Sequence, residues 1–216
     1  MKHLKRKAIA RSWPLPKKGT KYVMKPYPGK KRELSLPLGI ILRDILKIAS
    51  TRREIKALLN ANEIFVDGKL RKKEKTPLSL FDILSIPRLN KYYRITINEK
   101  RKIALEEINE KDSNIKICKV IGKKMLKNGI QQINCSDGIN FIYKDKISIN
   151  DSIIFDLKNK KIIKILPLKI GAEVFITGGA QSGLKGKIAE IDGKIKVRIK
   201  NKNLEVQVKN LYVIEK

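Results

Sequence analysis

The sequence predicts an α+β, multidomain protein: an extended basic N-terminal arm, a helix–helix–hairpin–strand unit, a central antiparallel β domain and a small C-terminal β barrel. Three observations carry that prediction. The 216 residues hold 50 Lys and Arg against 21 Asp and Glu, a formal net charge of +29 that is divided unevenly along the chain. Apolar residues recur every three or four positions between Leu38 and Leu59, the period of helices packed on one face. From Tyr92 onward, short Ile-rich runs alternate with Asx and Gly turns, the pattern of regular short strands.

Residues 1–36 form the expected arm. Within 1–32 there are 12 basic and no acidic residues, together with four of the eight prolines (Pro14, Pro16, Pro26, Pro28). No helical or strand period is sustained there, so the segment should be extended and ordered mainly by what it binds. Trp13, Tyr22 and Tyr27 lie among the lysines, and aromatic faces beside cations suit stacking on bases and pairing with phosphates. Candidate nucleic-acid contacts in its first half are Lys2, His3, Lys5, Arg6, Lys7, Arg11 and Trp13. In its second half they are Lys17, Lys18, Lys21, Lys25, Lys30 and Arg32.

Residues 37–88 form the second expected domain. Leu38, Ile41, Leu42, Ile45 and Ile48 mark an amphipathic helix ending near Ala49, with Arg43 among its cations. Thr51-Arg52-Arg53-Glu54 has the capping-box form and opens a second helix, whose apolar face is Ile55, Leu58 and Leu59. Asn62 tolerates the left-handed backbone of a helix stop. Ile64 to Val66, the turn Asp67-Gly68 and Lys69 to Arg71 read as a hairpin, and Phe81 to Ile86 as a further strand. Arg52 and Arg53 thus fall on a first helical turn, where cations oppose the helix dipole and call for an external anion such as a backbone phosphate. Lys69, Arg71, Lys72 and Lys73 add a basic rim on the hairpin.

Residues 89–170 form the central β domain, with strands at Tyr92–Ile97, Ile115–Ile121, Ile139–Tyr143, Ile153–Leu157 and Ile162–Leu166. Their turns fall at Asn98, Asn128-Gly129, Asp137-Gly138 and Lys158-Asn159. Residues 171–216 hold five more short runs around the glycine-rich stretch from Gly178 to Ile188. No G-K-[ST] follows these glycines and a strand rather than a helix comes next, which argues against a nucleotide loop. Gly178, Gly179, Gln181, Gly183 and Lys185 are instead candidate contacts, where a nucleic-acid backbone or a neighbouring protein approaches closely.

Composition excludes much else. A polyanion is the partner that a charge of +29 calls for, and nucleic acid is the first candidate. One His (His3) and two Cys (Cys118, Cys135) supply no paired zinc ligands and no base for a nucleophile, so neither a metal nor a catalytic residue is expected. No cofactor and no small-molecule substrate is implied. The apolar stretch Leu36 to Leu42 is too short for a membrane span, and two lone thiols fit a reducing, cytoplasmic compartment.

Several segments together resemble one family. Lys2-His3-Leu4-Lys5-Arg6 with Ser12-Trp13, Lys25-Pro26, Pro28-Gly29, Leu36-Pro37-Leu38 and Leu42-Arg43-Asp44-Ile45-Leu46 look like the archaeal and eukaryotic small-subunit ribosomal protein family S-four-e. Arg53-Glu54, Val66-Asp67-Gly68-Lys69, Asp82 to Ile86 and Ile117-Cys118-Lys119 continue the likeness in the same order. The stretch from Gly178 to Gly186 looks like that family's KOW element, with Gln181 where an asparagine is usual. The resemblance implies an S-four-type (αL) RNA-binding fold over 37–88 and an SH3-like KOW barrel over 171–216. It implies a non-catalytic structural role in the cytoplasmic small ribosomal subunit, with small-subunit rRNA and neighbouring ribosomal proteins as partners. S-four-type folds also accompany rRNA-modifying enzymes such as pseudouridine synthases, but no segment here has the length or residues of their catalytic domain. A free RNA chaperone or regulatory RNA-binding protein is the alternative that composition leaves open.

Overall fold

The computed structural model describes residues 3–126, 130–143, 147–192, 194–199 and 202–215. The expected Asn128-Gly129 turn lies outside the described residues. The chain divides into two compact units, residues 1–114 and 115–216.

The first unit begins with the arm, which is folded rather than extended. Strand β1 (Leu4–Lys5) pairs antiparallel with β2 (Tyr22–Val23), and a 3-10 turn covers Arg6–Ala8. Leu4, Ile9 and Trp13 are buried in the unit's hydrophobic core. Those three side chains supply the apolar area that the local charge pattern obscures, and their burial offsets the entropy of ordering the segment. The expected boundary at 36/37 lies inside β3 (Ser35–Pro37), so arm and domain are continuous.

Helix α1 (Leu38–Ile40) continues as a π-type turn through Ile41–Ile45 and stops short of the expected Ala49. Lys47, at φ 54°, reverses the chain in the left-handed region. Leu38, Gly39, Ile40, Ile41 and Leu42 are all buried, so the first turns of this helix are enclosed, while Asp44 near its end is exposed. Helix α2 (Arg52–Asn60) starts at Thr51, whose hydroxyl accepts from the Glu54 N–H at 3.2 Å. Glu54 reaches back to Thr51, accepting from its hydroxyl at 2.8 Å and from its N–H, and accepts from the Ser50 N–H at 2.8 Å as well, the reciprocal bonds of a capping box. Asn62 takes φ 58°, the left-handed stop anticipated for it.

Strands β4 (Phe65–Val66) and β5 (Lys69–Leu70) form the hairpin, with Asp67 and Gly68 at φ 51° and 70° as a type I′ turn requires. β6 (Pro77–Ser79) pairs with β3. β7 (Ile83–Ile86) begins two residues later than expected, because Phe81 adopts φ 63° with its N–H bonded to the Ile95 carbonyl. β8 (Lys91–Ile97) and β9 (Ile103–Ile108) complete an antiparallel sheet of order β5-β4-β7-β8-β9. The expected boundary at 88/89 therefore runs through this sheet: β8 hydrogen-bonds β7 and belongs with the helices, not with the central strands.

The second unit holds two five-stranded antiparallel sheets. β10 (Ile115–Met125), β11 (Gln131–Cys135), β12 (Asn140–Tyr143), β13 (Ser152–Asp156) and β14 (Ile162–Leu166) are ordered β12-β11-β10-β13-β14. β15 (Glu173–Ile176), β16 (Lys185–Asp192), β17 (Lys194–Ile199), β18 (Lys202–Val206) and β19 (Leu211–Val213) are ordered β18-β17-β16-β15-β19. Polar side chains lock the two sheets together. Lys119 donates to the Val208 carbonyl, Tyr212 donates to the Ser136 hydroxyl at 3.0 Å, and the Ser152 hydroxyl accepts from the Val213 N–H at 2.9 Å.

Candidate nucleic-acid interface

In the arm, Lys5, Lys7, Arg11, Lys17, Lys18, Lys21 and Arg32 are exposed, while Lys2 lies outside the described residues. Arg6 is the frame of the segment: its guanidinium donates to the carbonyls of Thr20 and Pro16 and to the Thr20 hydroxyl, each at 2.9 Å. Arg6, expected as an rRNA contact, is therefore held in place as a strut closing the 16–20 loop. Lys30 is likewise an internal tie, paired with the wholly buried carboxylate of Asp82. Lys25 is half-buried and has a partner within the protein.

Trp13 is also corrected. Its ring is 0% exposed and its Nε1–H donates to the Arg32 carbonyl at 3.1 Å, which satisfies the one polar atom inside the core. It anchors the arm and offers no face for a base. The exposed aromatics are Tyr22, 49% exposed with His3 5.5 Å away and Lys21 5.6 Å from its ring centroid, and Tyr27, 44% exposed with Lys73 at 5.8 Å. These two rings keep the aromatic-plus-cation arrangement expected of the arm.

On the helices, Arg43 forks onto the neighbouring Asp44 at 2.9 and 3.1 Å, which raises its pKa through the hydrogen bonds that the carboxylate accepts. Arg53 is exposed. Arg52 lies with Nε 2.8 and 2.9 Å from the two carboxylate oxygens of Glu74 and Nη2 bonded to one of them. The pair has a buried acid and a guanidinium whose side chain stays 60% exposed. Hydrogen bonds from Arg52, assisted by Lys56 and Lys75, hold the Glu74 carboxyl below the usual carboxylate range. Glu74 therefore stays charged and fixes the guanidinium plane. On the hairpin, Lys69 and Lys72 are exposed and Arg71 is half-buried, its Nε enclosed without a hydrogen-bond partner.

In the glycine-rich loop, Gly179 and Gly183 take φ 87° and 94°, left-handed positions that explain the residue type. A Cβ on Gly178 would fall 2.8 Å from the Asn210 side chain. Gln181 is half-buried and Lys185 exposed. The lysines of the central strands divide: Lys116 is 0% exposed and bonds Asp137 at 2.7 Å, and Lys119 is buried, so these two are internal pins. Beside them, burial pushes the Cys135 thiol and the Tyr212 hydroxyl up to about 12 and the Cys118 thiol well above its usual range, so the thiols are inert at neutral pH. Among the described residues no three His, Cys, Asp or Glu side chains are grouped to hold a metal, and no helix is long and apolar enough to cross a membrane.

A family profile described as Ribosomal family S4e matches residues 89–162. The small ribosomal subunit protein eS4 of Methanothermobacter thermautotrophicus is 37% identical over 192 residues, covering 88% of this chain and 79% of the relative. The chain belongs to the S4e family of ribosomal proteins. The eS4 proteins of Methanocella arvoryzae and Nanoarchaeum equitans are 38% and 35% identical, each over 88% of this chain and 80% and 82% of their own lengths. The crystal structure of the 30S ribosomal protein S4e from Thermoplasma acidophilum has the same fold, with a TM-score of 0.74 at 24% identity over 84% of this chain and 95% of that one. As an S4e member the chain is a structural component of the small ribosomal subunit and not an enzyme.

Proposed function

We propose that this S4e protein binds small-subunit rRNA directly and stabilises its folded form. The observation that carries the reading is the arm: a segment with no acidic residue in 1–32 is docked onto a hydrophobic core, so its exposed cations project from a fixed frame. Cations held in place bind phosphates without a further ordering cost, and each phosphate neutralised releases counterions. Helices α1 and α2 with the hairpin form the S-four-type RNA-binding module, which the β-sheet pairing extends through β9. Residues 171–216 form the KOW barrel, and neighbouring ribosomal proteins meet the remaining surface.

Sedimentation of cell lysate through a sucrose gradient, with and without a high-salt wash, tests the reading. Near-stoichiometric retention on the small subunit through the wash is the expected result. Recovery at the top of the gradient would mean an accessory RNA binder, a chaperone or regulator, and would overturn the structural role.

A further inference from the structure

On the outer face of the second unit's C-terminal sheet, the register sets like charges against each other. Lys187 of β16 lies directly opposite Arg198 of β17, and Lys185 is two residues earlier on the same face of β16. Like charges opposite one another in an antiparallel pair are destabilising. All three side chains are exposed, and none has a hydrogen-bond or ion-pair partner among the described residues. The intervening Gly186 holds the strands at their closest: a Cβ there would lie 2.6 Å from the Val197 side chain and 2.7 Å from the Arg198 carbonyl.

The three cations line one cavity of about 630 Å³, whose remaining wall includes Glu173 and Glu215. Glu215 is already paired with Lys164, which leaves Glu173, opposite Lys187 in the register, as the one carboxylate against three cations. An open cavity of this size exceeds what a lone ion needs and is within the range of small-ligand clefts, with room for one nucleotide unit. We propose that Lys185, Lys187 and Arg198 form an RNA phosphodiester site on the barrel face, separate from the arm and the helices. The inference rests on the rRNA-binding reading above. Arg198 supplies a planar fork for phosphate oxygens, and the two lysines supply point charges on either side of it.

The test uses the full chain and a transcript of small-subunit rRNA, titrated across a salt series. Lys187→Gln/Arg198→Gln is compared with Lys160→Gln/Lys161→Gln, which removes the same charge from an exposed turn of the same unit. The site variant should flatten the slope of log affinity against log salt by about 1.4 to 1.8, or about 0.7 to 0.9 per phosphate contact, and the control by less. Without RNA the site variant should melt no lower than the parent, since its exposed charges oppose each other. Equal slopes for the two variants would overturn the site and leave the arm's role standing. So would unchanged RNA binding with loss of binding to an acidic poly-glutamate peptide, which would make the face a protein contact. If the parent chain itself fails to bind the transcript, the rRNA-binding reading falls with it.

Discussion

The two units differ in how deeply they bury the cations that tie them together. In the first, most cations of the arm and of helix α2 face outward, and the internal ties come from cations that stay partly exposed, Arg6 to the Pro16 and Thr20 carbonyls, Lys30 to Asp82 and Arg52 to Glu74. In the second, Lys116 and Lys119 are buried: Lys116 pairs with Asp137 within the sheet of β10, and Lys119 caps the Val208 carbonyl and so ties that sheet to the C-terminal one. Lysine count alone therefore does not map an RNA footprint. Strand phase accounts for Lys116, which shares the buried side of β10 with Cys118 and Val120, whereas Lys119 lies on the opposite face and is buried there by its bond to the Val208 carbonyl.

Truncating the internal pins should break this contrast most strongly. Lys116→Ala leaves the Asp137 carboxylate buried without its counter-charge and should cost about 3–5 kcal/mol in urea unfolding. Trp13→Ala empties a core site in the first unit and should cost about as much, roughly 3–5 kcal/mol. The two should differ in binding: the folded Lys116 variant should keep its rRNA affinity, whereas the Trp13 variant should lose affinity as the arm detaches. Equal affinity for both in a filter-binding assay would show that docking the arm does not matter.

Arg52→Ala/Arg53→Ala should lower the salt slope of rRNA binding by about 1.4 to 1.8, two phosphate contacts, and should also lower the melting temperature, because truncating Arg52 leaves the buried Glu74 carboxylate without its counter-charge. Glu74→Gln sharpens the same point against simple electrostatics. It adds positive charge to the face, yet it frees the Arg52 fork and should weaken rRNA binding several-fold, with Glu74→Asp recovering part of the loss. Stronger binding by Glu74→Gln would mean that net charge, not orientation, governs the grip. The Glu74 carboxyl has its pKa lowered in the folded state, so its contribution is complete above the ordinary carboxylate pKa and is lost as pH falls through the lowered value. Acid unfolding of the Glu74→Gln variant should accordingly show a shallower pH dependence below about pH 4.5, the unshifted carboxyl value. The smallest effect belongs to Asn62, already left-handed: Asn62→Gly should change stability by no more than a few tenths of a kcal/mol, and Asn62→Ala should cost about 1 kcal/mol.

Local signals in the sequence led to the right local structure. The Thr51 cap, the Asn62 stop, the Asp67-Gly68 turn and most strands from β10 to β19 follow from side-chain chemistry within a few residues, whereas β11 (Gln131–Cys135), whose residues are largely polar, was not anticipated. What was illegible depends on partners distant in the chain. Trp13 reads as a stacking ring until the Arg32 carbonyl and the core around Leu36 and Leu38 are seen to enclose it. Arg52 reads as a free cation until Glu74, 22 residues later, is brought beneath it. The domain boundary at 88/89 failed for the same reason, since the pairing of β8 with β7 is a tertiary fact. Lys187 and Arg198 were missed because a lysine at every second position of a strand looks like ordinary surface, and only the register sets them opposite each other.

The closure of the arm also fixes an order of events in synthesis. Lys102 donates its ammonium to the carbonyls of Arg11 and Trp13, and the Ile103 N–H bonds the Ser12 carbonyl at 2.7 Å. The first of these contacts spans 91 residues of chain. Until β9 has left the exit tunnel, the nascent N-terminus lacks this clasp and has only its nearer ties, the Arg6 bonds to the 16–20 loop and the Trp13 bond to the Arg32 carbonyl. The most basic stretch of the molecule is thus the earliest made and among the last to be locked in its unit, a high-contact-order step that slows folding. During that interval the most basic stretch of the chain is held only by its nearer ties.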